Sequence, residues 1–217
     1  MRPRRPLDWT SGASAAEFAL VLPLFMLLFF GIIDGARFVW ETNKAEKATQ
    51  VGARVAVVTN VLSPGLRDED YAGQTAGGIT IGAGDKIPAE ALGSVKCTST
   101  GCTCETAPCP SNLGALDSAT FNDVLVERMR QIHPAIQPEN VEVRYSGSGF
   151  GFAGTAAGGG GGGGGGATEQ MEISPLVTVT LVGLEFRPIT SLLFASIAMP
   201  AFATTLIAED GVGSVSN

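Results

Sequence analysis

The chain of 217 residues has a formal net charge of −7, is 45% hydrophobic and contains 29 glycines. This acidic balance argues against nucleic acid as a partner, because a surface that contacts phosphates needs a basic face. The length allows one membrane segment and one domain of ordinary size with a modest core.

The charge is divided unevenly along the chain. Residues 1–12 contain three arginines and one aspartate, a net charge of +2, whereas the residues after position 33 contain 11 basic and 19 acidic side chains, a net charge of −8. A short basic flank before an apolar segment is typical of the cytoplasmic side of a membrane. We therefore predict a basic leader over 1–12, an N-terminus in the cytoplasm and a C-terminal domain on the opposite side of the membrane.

An apolar stretch follows the leader. No charged side chain occurs in residues 18–33, and counting from Ala13 gives 21 residues whose only charge is Glu17. As a helix, this stretch would be about 30 Å long, which is the thickness of one hydrocarbon core. We predict a transmembrane helix over 13–36, with a kink at Pro23 because proline removes a backbone donor.

A secretory signal peptide is the alternative interpretation of this stretch. Such a peptide ends in small residues just past its apolar core, but Asp34 would lie at the −3 position of a cut after Ala36. Cleavage at the far end of the apolar stretch is therefore not expected.

Glu17 needs a physical reason, because a carboxylate near one end of an apolar span is unfavourable in lipid. If the bond after Gly12 is cut, Ala13 gains an α-amino group, which carries a positive charge at neutral pH. In a bundle of such helices, Glu17 of one subunit can pair with this ammonium of its neighbour, which offsets desolvation and fixes the axial register. In the alternative interpretation, Glu17 is solvated among lipid headgroups and only marks the end of the span.

The order Gly12, then a cut, then Ala13 as first and Glu17 as fifth mature residue resembles the processing site of type IV pilin-like proteins. Common type IV pilins have Phe where this chain has Ala13. The sequences Ala16-Glu17-Phe18-Ala19-Leu20-Val21-Leu22-Pro23-Leu24 and Gly31-Ile32-Ile33-Asp34 are similar to TadE/TadG-like pseudopilins (minor pilins) of tight-adherence (Flp, type IVc) pilus systems. The resemblance covers roughly residues 10–60, with a looser similarity near the C-terminus.

The resemblance implies a structural role in pilus assembly, priming or capping. It implies cleavage between Gly12 and Ala13 by a prepilin peptidase, and subunit registration by Glu17 and Phe18. The implied partners are the prepilin peptidase, other pilins or pseudopilins, the inner-membrane assembly platform and membrane lipid. The implied location is the bacterial inner membrane, with the domain outside, where the protein acts either as an assembly factor or as a component of a surface pilus.

The helix is expected to continue past the membrane. Residues 37–62 have an apolar stripe at helical spacing with charged residues on the other faces, and Ser63-Pro64-Gly65 is a plausible stop. A helical hairpin broken at Asp34-Gly35 is the competing interpretation. We expect the single helix.

Four cysteines lie within 13 residues of the domain over 63–210. Their even number outside the cytoplasm favours disulfides, and a zinc site is not favoured because the spacing lacks C-x2-C pairs. Two connectivities remain open, Cys97–Cys102 with Cys104–Cys109, or Cys97–Cys104 with Cys102–Cys109. We predict a disulfide-stapled surface loop over 97–109.

The rest of the domain contains one helix and several strands. Ser118 is expected to cap a helix that ends near Gln131, and 140–146 is expected to form a strand with Val141, Val143 and Tyr145 inward. A strand over 172–186 should pair with it antiparallel across a glycine-rich loop over 147–170, which is expected to be disordered. A last strand is predicted over 197–208, too short and interrupted to cross a membrane, before a tail over 211–217.

The expected fold is therefore α+β, with a long pilin-like N-terminal helix packed on a small antiparallel sheet with one further helix. No nucleophile–base arrangement, phosphate loop or metal-ligand pair is recognisable, so we expect a non-enzyme without cofactor or metal. The alternative function is an uncleaved, membrane-anchored adhesin whose domain binds an external surface.

Overall fold

The structure, a computed structural model, describes residues 10–154, 171–192 and 196–208. Helix α1, Thr10–Val58, is one continuous helix of 49 residues that passes through Pro23. The single long helix is thus confirmed, and the hairpin broken at Asp34-Gly35 is wrong.

The chain divides into two compact units. The first comprises residues 1–41 and 185–197, and the second comprises residues 42–184 and 198–217.

The described strands are β1 Thr75–Ala76, β2 Ile79–Thr80, β3 Ser94–Thr98, β4 Gly101–Thr106, β5 Val141–Ser146, β6 Leu176–Leu181, β7 Glu185–Phe186, β8 Ile197–Ala198 and β9 Phe202–Ile207. A five-stranded antiparallel sheet in the order β4-β3-β5-β6-β9 is the centre of the second unit. Two-stranded ribbons are formed by β1 with β2 and by β7 with β8.

β5 is the central strand of this sheet and pairs antiparallel with β6, as the alternation of apolar and polar residues in both segments predicts. Their register pairs Val143 with Val179 and Tyr145 with Val177, and these four side chains are buried. Burying one such aliphatic side chain stabilises the fold by about 1.5–3 kcal/mol. The inward face predicted for 140–146 is therefore confirmed.

The α1 residues of the second unit bury small side chains, Ala45, Ala48 and Ala53 among them. Small residues let a helix backbone approach its neighbours closely. Thr49 adds a polar contact, because its Oγ1 lies 3.0 Å from Oγ1 of Thr204 on β9. This half of α1 thus packs on the sheet, in agreement with the expected α+β fold.

The further helix, α3, is π-helical over Thr120–Val126 and α-helical over Glu127–Ile132. A short helix, α2 at Pro64–Arg67, follows α1. The expectation that Ser118 caps α3 is wrong. Asp117 takes this role instead, since its carboxylate accepts bonds from the backbone N–H of Thr120 at 3.0 Å and from the Thr120 hydroxyl at 2.7 Å. A carboxylate adds charge to the capping interaction, which a serine hydroxyl does not.

The segment 97–109 is stapled by two disulfides, as predicted, but most of it is a β-hairpin rather than a loop. Its first ten residues lie in the β3–β4 hairpin, and β3 also pairs with β5. Threonines in this segment favour an extended backbone. The pairing with β5, which is distant in sequence, completes the strand and could not be seen in the local composition.

The glycine-rich segment is not disordered throughout. The N–H of Gly147 donates to the carbonyl of Leu92 at 3.1 Å, and the N–H of Phe152 donates to the carbonyl of Glu172 at 3.1 Å. Residues 147–154 are therefore ordered, and the prediction of a disordered loop over 147–170 is wrong for this part. Residues 155–170, and likewise the predicted leader up to residue 9 and the tail over 211–217, lie outside the described residues.

The last predicted strand, over 197–208, is two strands in two different sheets. β8 and β9 are separated by Met199-Pro200-Ala201. Proline cannot donate to a strand ladder, so Pro200 is the physical reason for the break.

Candidate functional site: the apolar half of helix α1

The N-terminal half of α1 presents an unbroken apolar surface. Among residues 14–33, every side chain is exposed except those of Leu22 and Ile33, which are half-exposed. Leu20, for example, is 80% exposed. Soluble proteins rarely expose an apolar patch of such extent, so this surface needs an apolar environment or a partner.

A membrane provides such an environment. Among the described residues, one helix, within Ser14–Val58, is long and apolar enough to cross a membrane. The core helix of a soluble protein can have the same composition, but such a helix is buried, whereas the apolar part of α1 is not buried in this structure. The apolar half of α1 thus suggests membrane anchoring.

The structure places the predicted processing and registration residues on the first turns of α1. Gly12 and Ala13 follow the helix start at Thr10, and Glu17 lies one turn after Ala13. Glu17 and Phe18 are exposed on the helix surface, and Phe18 is 65% exposed. Both side chains are therefore accessible to a neighbouring subunit, while their roles remain predictions.

Asp34 is the buried charge of the first unit, with 6% of its surface exposed. Its Oδ1 accepts the backbone N–H of Ile189 at 2.7 Å, and its Oδ2 accepts the backbone N–H and the hydroxyl of Thr190 at 2.9 and 2.8 Å. Arg37, one turn further along α1, donates to Oδ1 at 3.2 Å. Four donors thus replace the water that this carboxylate loses.

Sequence reasoning missed this role of Asp34. The sequence gives Asp34 only as an acid at the −3 position of an unexpected cut, as part of the family-like sequence and as a possible helix break, since its partners are 155 and 156 residues away. A local signal existed, because an acid directly after an uncharged run of 16 residues is costly unless something pairs with it.

An aromatic contact lies beside Asp34. The rings of Phe38 and Phe186 meet edge to face with centroids 5.4 Å apart, and the Arg37 guanidinium lies 5.5 Å from the Phe186 centroid. These contacts hold β7 next to the α1 turn that follows the apolar run. Edge-to-face aromatic pairs contribute about 0.5–1.5 kcal/mol beyond their buried area.

The cysteines form two disulfides in the second unit. Cys97 pairs with Cys102 across the β3–β4 hairpin, and Cys104 on β4 pairs with Cys109 beyond its end. This is one of the two arrangements that the sequence left open. Among the described residues, no cluster of three or more metal-ligating side chains is placed to hold a metal ion.

These features define a class of protein: an α+β domain, stapled by disulfides, on an N-terminal helix whose apolar half is suited to a membrane. Residues 12–54, which span α1 from the predicted processing site almost to its end, match the model of the TadE-like protein family. The resemblance stated from the sequence is thereby confirmed for this segment. Comparisons with curated proteins and with solved structures found no significant match.

Proposed function

We propose that the protein is a pseudopilin, or minor pilin, with a structural role in assembling, priming or capping a tight-adherence pilus. In this proposal a prepilin peptidase cuts it after Gly12, with the basic leader in the cytoplasm and the domain outside. Its partners are the peptidase, other pilins or pseudopilins, the inner-membrane assembly platform and lipid. The observation that carries the proposal is the TadE-like match over 12–54, which begins at the predicted cut.

The exposed apolar half of α1 supports two successive states of the protein. Before assembly, lipid covers this surface, because its length equals about one hydrocarbon core. In a pilus, the same surface packs against the helices of neighbouring subunits. A surface that is exposed on all sides in the isolated chain is what both states require.

The position of Glu17 supports the proposed cut. Cleavage creates an ammonium group at Ala13, one helical turn from Glu17 on the same chain. The exposed Glu17 carboxylate is then available to the ammonium of an adjacent subunit. Without cleavage, the charge of Glu17 has no such partner of opposite sign in the apolar core.

N-terminal mapping tests the proposal directly. Mass spectrometry of the protein extracted from membranes of cells that make the peptidase is expected to find Ala13 as the first residue. A Gly12→Leu variant is expected to keep its leader, because a branched side chain replaces the hydrogen of glycine at the scissile bond.

Gly31→Leu is the matched control, since it is the same substitution on α1 at a position where the space around a Cβ is open. It is expected to be cut like the original chain. An intact leader on the unmodified protein in peptidase-producing cells contradicts the proposal. That result would favour the alternative, an uncleaved membrane-anchored adhesin.

A further inference from the structure

We propose that the segment 185–192, together with Ile197, forms a second membrane contact, which rests in the headgroup layer where α1 leaves the bilayer and which Asp34 positions there. This inference rests on the anchoring of α1 in the proposed function, and it adds a lipid-binding surface distant in sequence from that helix. The occupant is the interface of a phospholipid bilayer, where apolar chains meet headgroups.

The depth of the segment follows from its bonds to Asp34. This residue directly follows the uncharged run of residues 18–33, so it marks the end of the apolar span. Two backbone N–H groups, of Ile189 and Thr190, lie within 2.9 Å of its carboxylate. The segment is therefore fixed beside the turn of α1 at which a spanning helix passes from hydrocarbon to headgroups.

The side chains around this point have the composition of a membrane interface. Ile189 is 52% exposed although its backbone is bound to Asp34, and Ile197 is exposed as well. Trp40 is also exposed and lies about 9 Å beyond Asp34 along the helix axis, and its side chain tilts back toward the N-terminus as in every α-helix. Tryptophan is enriched in the interfacial layer because its ring is apolar and its N–H is polar.

Two arginines add positive charge to this apolar and aromatic surface, as is typical of a membrane interface. Arg37 is partly exposed beside Asp34, and Arg187 is exposed at the start of the segment. Long cationic side chains at a helix end place their stems along apolar groups and their charge among phosphates. Lipid therefore satisfies both the apolar and the cationic groups of this surface, whereas a purely apolar partner would leave the exposed Arg187 guanidinium unsolvated.

The burial of Asp34 is explained by the same arrangement. A carboxylate at the border of the hydrocarbon layer is unfavourable unless it is paired. Its four donors remove that penalty, and two of them belong to the backbone of the segment. Asp34 is thus a positioning residue, which holds Ile189 toward the bilayer.

Fluorescence quenching of single tryptophans tests the depth of the segment. The full chain, with Trp9→Phe and Trp40→Phe, receives one tryptophan by Leu24→Trp, Ile189→Trp or Ile79→Trp. All three positions are exposed in the structure. Each protein is reconstituted into phosphatidylcholine vesicles whose acyl chains are brominated either near the headgroup or near the methyl end.

We expect the tryptophan at 189 to lose emission with bromine near the headgroup and much less with bromine near the methyl end. The one at 24 should be quenched by the deeper bromine, and the one at 79, in the second unit, by neither. Quenching at 24 without quenching at 189 would overturn the inference and leave the anchor intact. Absence of quenching at 24 would overturn the anchor itself, so the two failures are distinguishable. Equal quenching at 189 and 79 would also overturn the inference.

The role of Asp34 is tested in the Ile189→Trp and Leu24→Trp proteins. Asp34→Ala is expected to reduce the quenching at 189 and to leave the quenching of a tryptophan at 24 unchanged. Asp68→Ala is the matched control, since Asp68 is a paired aspartate of the second unit, 2.8 Å from Arg67, and it should change neither signal. Unchanged quenching at 189 in Asp34→Ala would show that Asp34 does not position the segment.

Discussion

Replacing Glu17 with glutamine is expected to leave cleavage after Gly12 intact and to abolish pilus assembly. Glutamine keeps the size of the side chain and its hydrogen-bonding capacity but removes the charge. In the proposed bundle, the ammonium of the adjacent subunit then stays buried without a partner. Breaking a buried ion pair in this way is destabilising by about 3–5 kcal/mol, which corresponds to a roughly 100-fold or larger loss of subunit association.

The measurement compares the pilin sheared from cells that carry only the variant with the pilin sheared from the original strain. N-terminal mapping of the membrane fraction verifies that the leader is removed. Glu17→Asp is expected to restore part of the assembly because it keeps the charge on a shorter side chain. Glu41→Gln, which neutralises an acid of α1 beyond the apolar run, should assemble like the original chain.

Normal piliation of Glu17→Gln would contradict the ion pair between subunits. Glu17 would then be a solvated acid at the headgroup layer, as in the alternative interpretation of the sequence. Loss of both cleavage and assembly would place Glu17 in recognition by the peptidase instead. The comparison of leader removal with fibre yield therefore separates the roles of this one carboxylate.

Much of the fold could be predicted because it depends on local patterns. The uncharged run of residues 18–33 specifies an apolar helix without any knowledge of its neighbours. The alternation along Val141, Val143 and Tyr145 specifies a strand with one buried face, since a one-residue slip would expose all three. The same holds for the core face of β6.

The remaining features depend on residues far apart in the sequence. The disulfide segment forms a local hairpin of β3 and β4, but its place in the five-stranded sheet depends on the pairing of β3 with β5, which is distant in sequence. Asp34 is recognised as a positioning residue only when Ile189 and Thr190 are seen at its carboxylate. Neither pairing leaves a periodic signal in the sequence, so neither could be predicted.

In the glycine-rich region, composition alone gives a prediction that is wrong for the residues at its start. Composition alone predicts disorder for residues 147–170, because glycine has the largest entropy to lose on folding. Gly154 nevertheless donates its N–H to the carboxylate of Glu172 at 2.8 Å, and Glu172 is buried. This contact closes the two ends of the stretch, and neither the burial of Glu172 nor its bond to Gly154 is visible in the composition.

The backbone of Gly93 lies directly against the backbone of the residues that follow β4. A Cβ at this position would be 2.0 Å from the carbonyl oxygen of Thr106 and 2.7 Å from the carbonyl carbon of Ala107. The N–H of Gly93 also donates to the carbonyl of Pro108 at 2.7 Å. The clash is with backbone atoms, so no side-chain rotation can relieve it.

Gly93→Ala is therefore expected to destabilise the domain by about 3 kcal/mol, at the upper end of what overpacking costs. For a domain of this size, that lowers the melting temperature by about 6–12 °C. Thermal unfolding of the full chain in detergent, followed by circular dichroism, gives the measurement. Gly84→Ala is the control, because its φ of +88° disfavours alanine while the space around its Cβ is open.

The control separates the loss of stability caused by the steric clash from the loss caused by an unfavourable backbone conformation. Gly84→Ala is expected to lower stability by about 1–2 kcal/mol, the penalty for an L-residue in the left-handed region, and so to melt well above Gly93→Ala. If Gly93→Ala melts with the original chain, the close approach of residues 93 and 106 is not present in the folded protein. If both variants melt together, conformational strain rather than contact determines the stability of this corner of the domain.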